Sequence, residues 1–189
     1  MLNSFFDKYI FTNSLKYTHN NFYLLNIPFA IVPVEVLVSI AKQNDPELKR
    51  TLYSAIKENT RKKLIKQFTL DFGLEKKKAL SLFESFFTAS GWGKIQTIDL
   101  DFESNRAILT VENSPVAASL KGEVSWPVDI FLRAVFAGIF SEVFGVDVEC
   151  VESECSAVTG ERCKFIIKSE KEFDVSKKMV RDQLNFSEL

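Results

Sequence analysis

Residues 127–168 read PVDIFLRAVFAGIFSEVFGVDVECVESECSAVTGERCKFIIK, an apolar run of helical length that stops at Gly145 and gives way to two shorter runs around a Gly-containing turn. Pro127 suits the opening of a helix, because its missing N–H would have no partner there in any case. Val128, Phe131, Leu132, Val135, Phe136, Ile139 and Phe140 leave that helix little polar face, so the spacing predicts a helix buried on most sides. The strands that follow are DVECVES and RCKFIIK, with Val158, Thr159, Gly160 and Glu161 turning between them.

Further upstream, KIQTIDLDF (94–102) and AILTVEN (107–113) alternate around ESNR and predict a second hairpin, joined by a loop over 113–125 to the buried helix. Two amphipathic helices precede it. One runs from Pro46 toward Gly73 with Leu48, Leu52, Ile56, Leu64, Ile65 and Phe68 on one face and lysines and arginines opposite. The other runs from Glu75 to Ser90 with Leu80, Phe83, Phe86 and Phe87 on a thick apolar face. Residues 21–34 read as strand, and Pro33 opens a helix to about Lys42. The tail, 171–189, repeats Val175, Met179, Val180 and Leu184 at helical spacing and predicts a peripheral helix. Helices followed by antiparallel hairpins, with one buried helix before the last, make the class α+β. The expected organisation is one domain over 1–189, with a strand-and-helix extension over 1–45.

Composition narrows the function. The 189 residues are 46% hydrophobic, enough for one core without a metal or disulfide to hold it together. The 24 basic and 25 acidic side chains nearly cancel, which argues against nucleic acid or an anionic membrane as principal partner. The most apolar stretch, 27–41, holds two prolines and Glu35 and falls short of the ~20 apolar residues a membrane span requires. Three cysteines, an odd number without a secretory leader, point to a reducing cytoplasm. No GxGxxG follows a strand, and there is no GxxxxGK[ST]. His19 is the only histidine, and no nucleophile elbow lies near it.

All three cysteines fall within ECVESECSAVTGERCKFI, residues 149–166. Glu152, Cys155 and Cys163 can converge across a short hairpin, and mixed thiolate and carboxylate donors suit Zn²⁺. Buried free cysteine is also ordinary core material. A closed site needs a fourth ligand, either Cys150, on the same strand face as Glu152, or Asp129, in the first turn of the buried helix. Side chains two apart on a strand stand about 6.5–7 Å apart at their roots, an awkward span for one ion.

The stretches GWGKIQTIDLDFESNRAILTVENSPVA and AVFAGIFSEVFGVDVECVESECSAVTGERCKF resemble the 4-vinyl reductase domain family over residues 91–167. The resemblance implies an α+β fold related to the ligand-binding domains of aromatic-sensing transcriptional activators and to small subunits of the TRAPP tethering complex. It also implies a homodimer with an apolar internal pocket. The zinc ligands of the family's metal-bearing sensors fall here on Asp129, Glu152, Cys155 and Cys163, with Asp129 standing where the family has cysteine. Four closed ligands make a structural zinc. The leading expectation is therefore a zinc-containing domain that binds an apolar or aromatic small molecule. The alternatives are an accessory subunit or enzyme of vinyl-group reduction in tetrapyrrole synthesis, and a dimeric scaffold. No nicotinamide, flavin or iron–sulfur motif accompanies the enzymatic reading.

Overall fold

The computed structural model describes residues 15–24, 27–64 and 76–184. Near the N-terminus, β1 (Leu15–Thr18), β2 (Asn21–Leu24) and β3 (Ile27–Phe29) form a small antiparallel sheet in that order. The turn between β1 and β2 is tight, with His19 and Asn20 both at positive φ. Three helices follow: α1 (Val34–Ala41), α2 (Pro46–Asn59), which continues as a π-helical turn over Thr60–Leu64, and α3 (Lys76–Ala89). Asp45 caps α2, its Oδ1 accepting from the N–H of Glu47 at 2.9 Å.

The second half builds the main sheet and its central helix. Strands β4 (Lys94–Asp101) and β5 (Arg106–Glu112) form a hairpin, and a short helix α4 (Pro115–Ser119) leads to α5 (Ile130–Phe144). Then come β6 (Glu149–Glu154), a single helical turn α6 (Ser156–Thr159), β7 (Cys163–Lys168), a 3₁₀ turn at Glu170–Glu172 and α7 (Lys178–Leu184). The sheet order is β4-β5-β7-β6, antiparallel throughout, so the class is α+β as expected. Among the described residues no helix is long and apolar enough to cross a membrane.

Helix α5 is the hub of the core. Leu132, Ala134, Phe136, Ala137, Ile139 and Phe140 are almost fully buried. Phe136 meets Phe165 of β7 edge-on, ring centres 5.0 Å apart, and Phe83 of α3 at 6.3 Å. On the side facing α2 the helix carries Gly138, where an added Cβ would stand 2.5 Å from the Lys57 carbonyl oxygen and 2.8 Å from Thr60 Cβ. Only glycine lets the two backbones approach so closely. Gly145, at φ 75°, ends the helix in the left-handed conformation that a side chain would oppose.

Several expectations change in detail. The strand expected over 21–34 is two short strands and an open segment, and Pro33 precedes the helix rather than opening it. The loop over 113–125 contains α4, whose N-cap is Ser114. The turn expected at 158–161 is the C-terminal part of α6 and its left-handed Gly160, because the chain coils once after Cys155 before returning. The tail is a 3₁₀ turn and a seven-residue helix, with Val175 exposed. On α2 the expected solvated basic face is interrupted: Lys57 is buried and pairs with Glu149 at 2.6 Å and Asp147 at 3.2 Å. The expected continuation through Ile65 and Phe68 to Gly73 lies outside the described residues.

Candidate functional site

The hairpin β6–β7 and the start of α5 bring the site together. Glu152 is near the end of β6, Cys155 immediately precedes α6, and Cys163 opens β7. A register shift between Glu152 and Glu154 and the coil of α6 fold Cys155 back toward Cys163. One ligand atom from each of Glu152, Cys155 and Cys163 lies within 4.8 Å of the others, and all three residues are buried. This three-residue group can hold a metal ion.

Asp129 borders the same space but falls outside that 4.8 Å set. It is the residue before α5, at φ −81° and ψ 50°, rather than part of the first helical turn. The difference has a local cause: its backbone N–H donates to Glu152 Oε2 at 3.0 Å, which holds the chain toward β6. Its Oδ1 accepts from Ser114 Oγ at 2.8 Å. Cys150 lies outside the group, although it too is fully buried.

The fit to a cation can be read from what is left unpaired. Four buried side-chain polar atoms among the described residues have no hydrogen-bond partner, and two of them are Asp129 Oδ2 and Glu152 Oε1. Buried acceptors without partners are rare and costly. Here they belong to adjoining carboxylates, beside two thiols. Burial pushes Asp129 up to about 6, and burial together with the Asp129 charge pushes Glu152 well above the usual carboxylate range. A hydrogen bond from Cys163 draws Cys155 down to about 6, while Cys163, as its donor, is pushed up. Four acidic groups crowd one dry space with no basic side chain in the group. A divalent cation offsets that crowding, and two sulfur with two oxygen donors suits a borderline-soft ion.

The surroundings orient these donors. The N–H and the hydroxyl of Ser156 each lie 3.3 Å from Cys163 Sγ. The Gln183 side chain brackets the Glu152 backbone: Oε1 accepts its N–H at 2.9 Å and Nε2 donates to its carbonyl at 3.1 Å. Since β6 is an edge strand, Gln183 stands where another strand would pair. Arg133 joins in, donating to the Cys150 carbonyl at 3.1 Å and the Gln183 carbonyl at 2.9 Å. The sequence carries a signal for Ser114, a cap residue directly before a proline. It carries none for Gln183 or Arg133.

A cavity of about 820 Å³ lies on the other side of the segment leading into α5. Its wall mixes apolar side chains, among them Ile40, Leu52, Val128 and Ile130, with Trp126 and several charged groups. Val128 and Ile130 flank Asp129, so this wall and the metal group share one stretch of backbone.

Residues 107–169 match the family model of the vinyl-4-reductase domain. No curated protein matches the chain in sequence. Among solved structures, 16 chains match. The phenol-responsive sensory domain of the transcription activator PoxR, solved with phenol, superposes with a TM-score of 0.68 at 14% identity, covering 91% of this chain and 92% of that one. A vinyl-4-reductase family protein from Methanocaldococcus jannaschii gives a TM-score of 0.45 at 16% identity, with 74% and 83% of the two chains covered. A trafficking protein particle complex subunit 3 from Naegleria fowleri, covalently bound to palmitic acid, gives 0.44 at 14% identity, covering 70% and 81%.

Proposed function

We propose that this chain, which carries a vinyl-4-reductase domain across residues 107–169, is a zinc-bearing sensory domain that binds a small organic molecule rather than transforming one. The observation that carries this reading is the buried Glu152, Cys155 and Cys163 group with its two unpartnered carboxylate oxygens, built on the backbone that also walls the cavity. Asp129, Glu152, Cys155 and Cys163 would hold the metal. With four protein ligands, zinc would supply a structural cross-link and leave no open position for water.

The consequence for binding is mechanical. A cross-link from residue 129 to the β6–β7 hairpin fixes the segment that carries Val128 and Ile130, and so fixes one cavity wall. A cavity of this volume is the size of those that enclose small ligands. The phenol held by the PoxR sensory domain, whose fold this chain follows over nearly its whole length, supports a small organic occupant. The reading includes a homodimer in the cytoplasm that passes its signal to another protein.

Native mass spectrometry of the purified full chain tests this reading. One zinc per chain, with a co-purified or added aromatic ligand retained on a dimer, is expected. A metal-free chain that retains none of a panel of phenols, fatty acids and tetrapyrroles would overturn it.

A further inference from the structure

We infer that the cavity between α1, α2 and α7 takes an organic anion, a carboxylate on an apolar or aromatic body, rather than a neutral aromatic molecule. This rests on the reading of that cavity as the ligand chamber. The charged side chains on its wall are Lys49, Arg133, Lys178 and Arg181 against Asp182. Across the whole chain basic and acidic residues are nearly equal, 24 to 25, so four to one is a local concentration of positive charge. Cavities lined by one sign of charge concentrate ligands of the other.

Two further observations place an acceptor there. Trp126 Nε1 is buried and has no hydrogen-bond partner, so the cavity wall holds an indole N–H in need of an acceptor. Lys49 Nζ stands 5.6 Å over the ring of that same Trp126, which puts a cation and the unpaired donor side by side. Asn44 Oδ1 accepts from Lys49 at 2.7 Å, which steadies the ammonium without neutralising it. Burial, and then the nearby Arg133 charge, hold Lys49 below the ordinary lysine range, with Asp182 opposing them. Arg133 is committed to the Cys150 and Gln183 carbonyls and contributes its field. A carboxylate beside Lys49 supplies the missing acceptor and relieves the repulsion between the two cations.

The apolar part of the ligand follows from the remaining wall. Ile40, Leu52, Val128, Ile130 and Met179 offer nothing to a bare inorganic anion, and about 820 Å³ is far more space than one needs. An amphipathic acid matches both halves.

Isothermal titration of the full chain with 2-naphthoate and with its neutral isostere 2-naphthamide separates the possibilities. The expected result is naphthoate binding at least tenfold tighter, a preference that shrinks toward parity in Lys49→Met and weakens in Trp126→Phe, while naphthamide affinity changes little. Equal affinity for the two probes would overturn the anion inference and leave the cavity reading standing. Naphthoate preference untouched by either substitution would place the anion elsewhere and overturn the inference. Binding of neither probe, in protein that melts cooperatively, would count against both.

Discussion

The backbone N–H of Asp129 donates to Glu152 Oε2 at 3.0 Å, and yet the other oxygen of Glu152 and Oδ2 of Asp129 are both buried without a partner. Two residues 23 positions apart are thus tied by backbone while their remaining acceptors stay open. This is the arrangement from which the metal assignment grows.

Asp129→Ala should weaken metal retention by at least 10–100-fold, the range seen when even groups behind the ligands are removed. It should also speed hydrogen exchange in the β6–β7 hairpin. Asp129→Cys should keep the metal, because thiolate is the softer donor. Cys150→Ser should leave metal content unchanged. Metal titration against a chromophoric chelator reads all three, and loss of metal in Cys150→Ser but not in Asp129→Ala would reverse the assignment.

Tyr53→Phe should destabilise the chain by about 1–3 kcal/mol in urea unfolding, the cost of leaving buried polar groups without a partner. The Tyr53 hydroxyl donates to Glu149 Oε2 at 2.5 Å and accepts the Cys150 N–H at 3.2 Å. Burial, then the Glu149 charge, push its pKa well above the usual tyrosine value. A folded pKa raised above the unfolded one gives stability that is complete below about pH 10 and lost as pH rises through the folded value. The gap between wild type and Tyr53→Phe should therefore narrow above about pH 10.

Gly138→Ala should lower stability by about 1–2 kcal/mol, since overpacking costs about 1–3 kcal/mol or more and the gain in helix propensity returns only about 1 kcal/mol. The clash is with backbone, the Lys57 carbonyl 2.5 Å from the new Cβ, so no side-chain rotation relieves it. Equal or higher stability in a thermal melt would show that α2 and α5 can separate without loss.

The parts of the fold that are legible in sequence are those with a strong period. The α5 helix and the β4–β5 and β6–β7 hairpins follow from apolar spacing, because their burial is nearly complete and the pattern has no competing signal. Where the backbone departs from a simple period, the reading falls short. Cys155 to Gly160 looks like turn, but one helical coil fits between the strands and carries Cys155 back to Cys163. His19 and Asn20 take left-handed backbone without the Asn-Gly or Asp-Gly pair that marks such a turn, so nothing in the sequence marks β1. Glu152, Cys155 and Cys163 can be gathered from spacing alone, since one short hairpin carries them. Gln183 and Arg133 meet β6 across long separations, and the cationic wall of the cavity draws on residues from 49 to 182. No local pattern announces a contact of that kind.

Zinc-edge X-ray absorption on the purified full chain is the most direct measurement of the central claim. The account predicts about one zinc per chain with two sulfur donors at about 2.3 Å and two oxygen donors at about 2.0–2.2 Å. Three sulfur donors would bring Cys150 into the site and displace Asp129. Absence of zinc, with all three thiols reacting freely in the folded chain, would contradict the account outright.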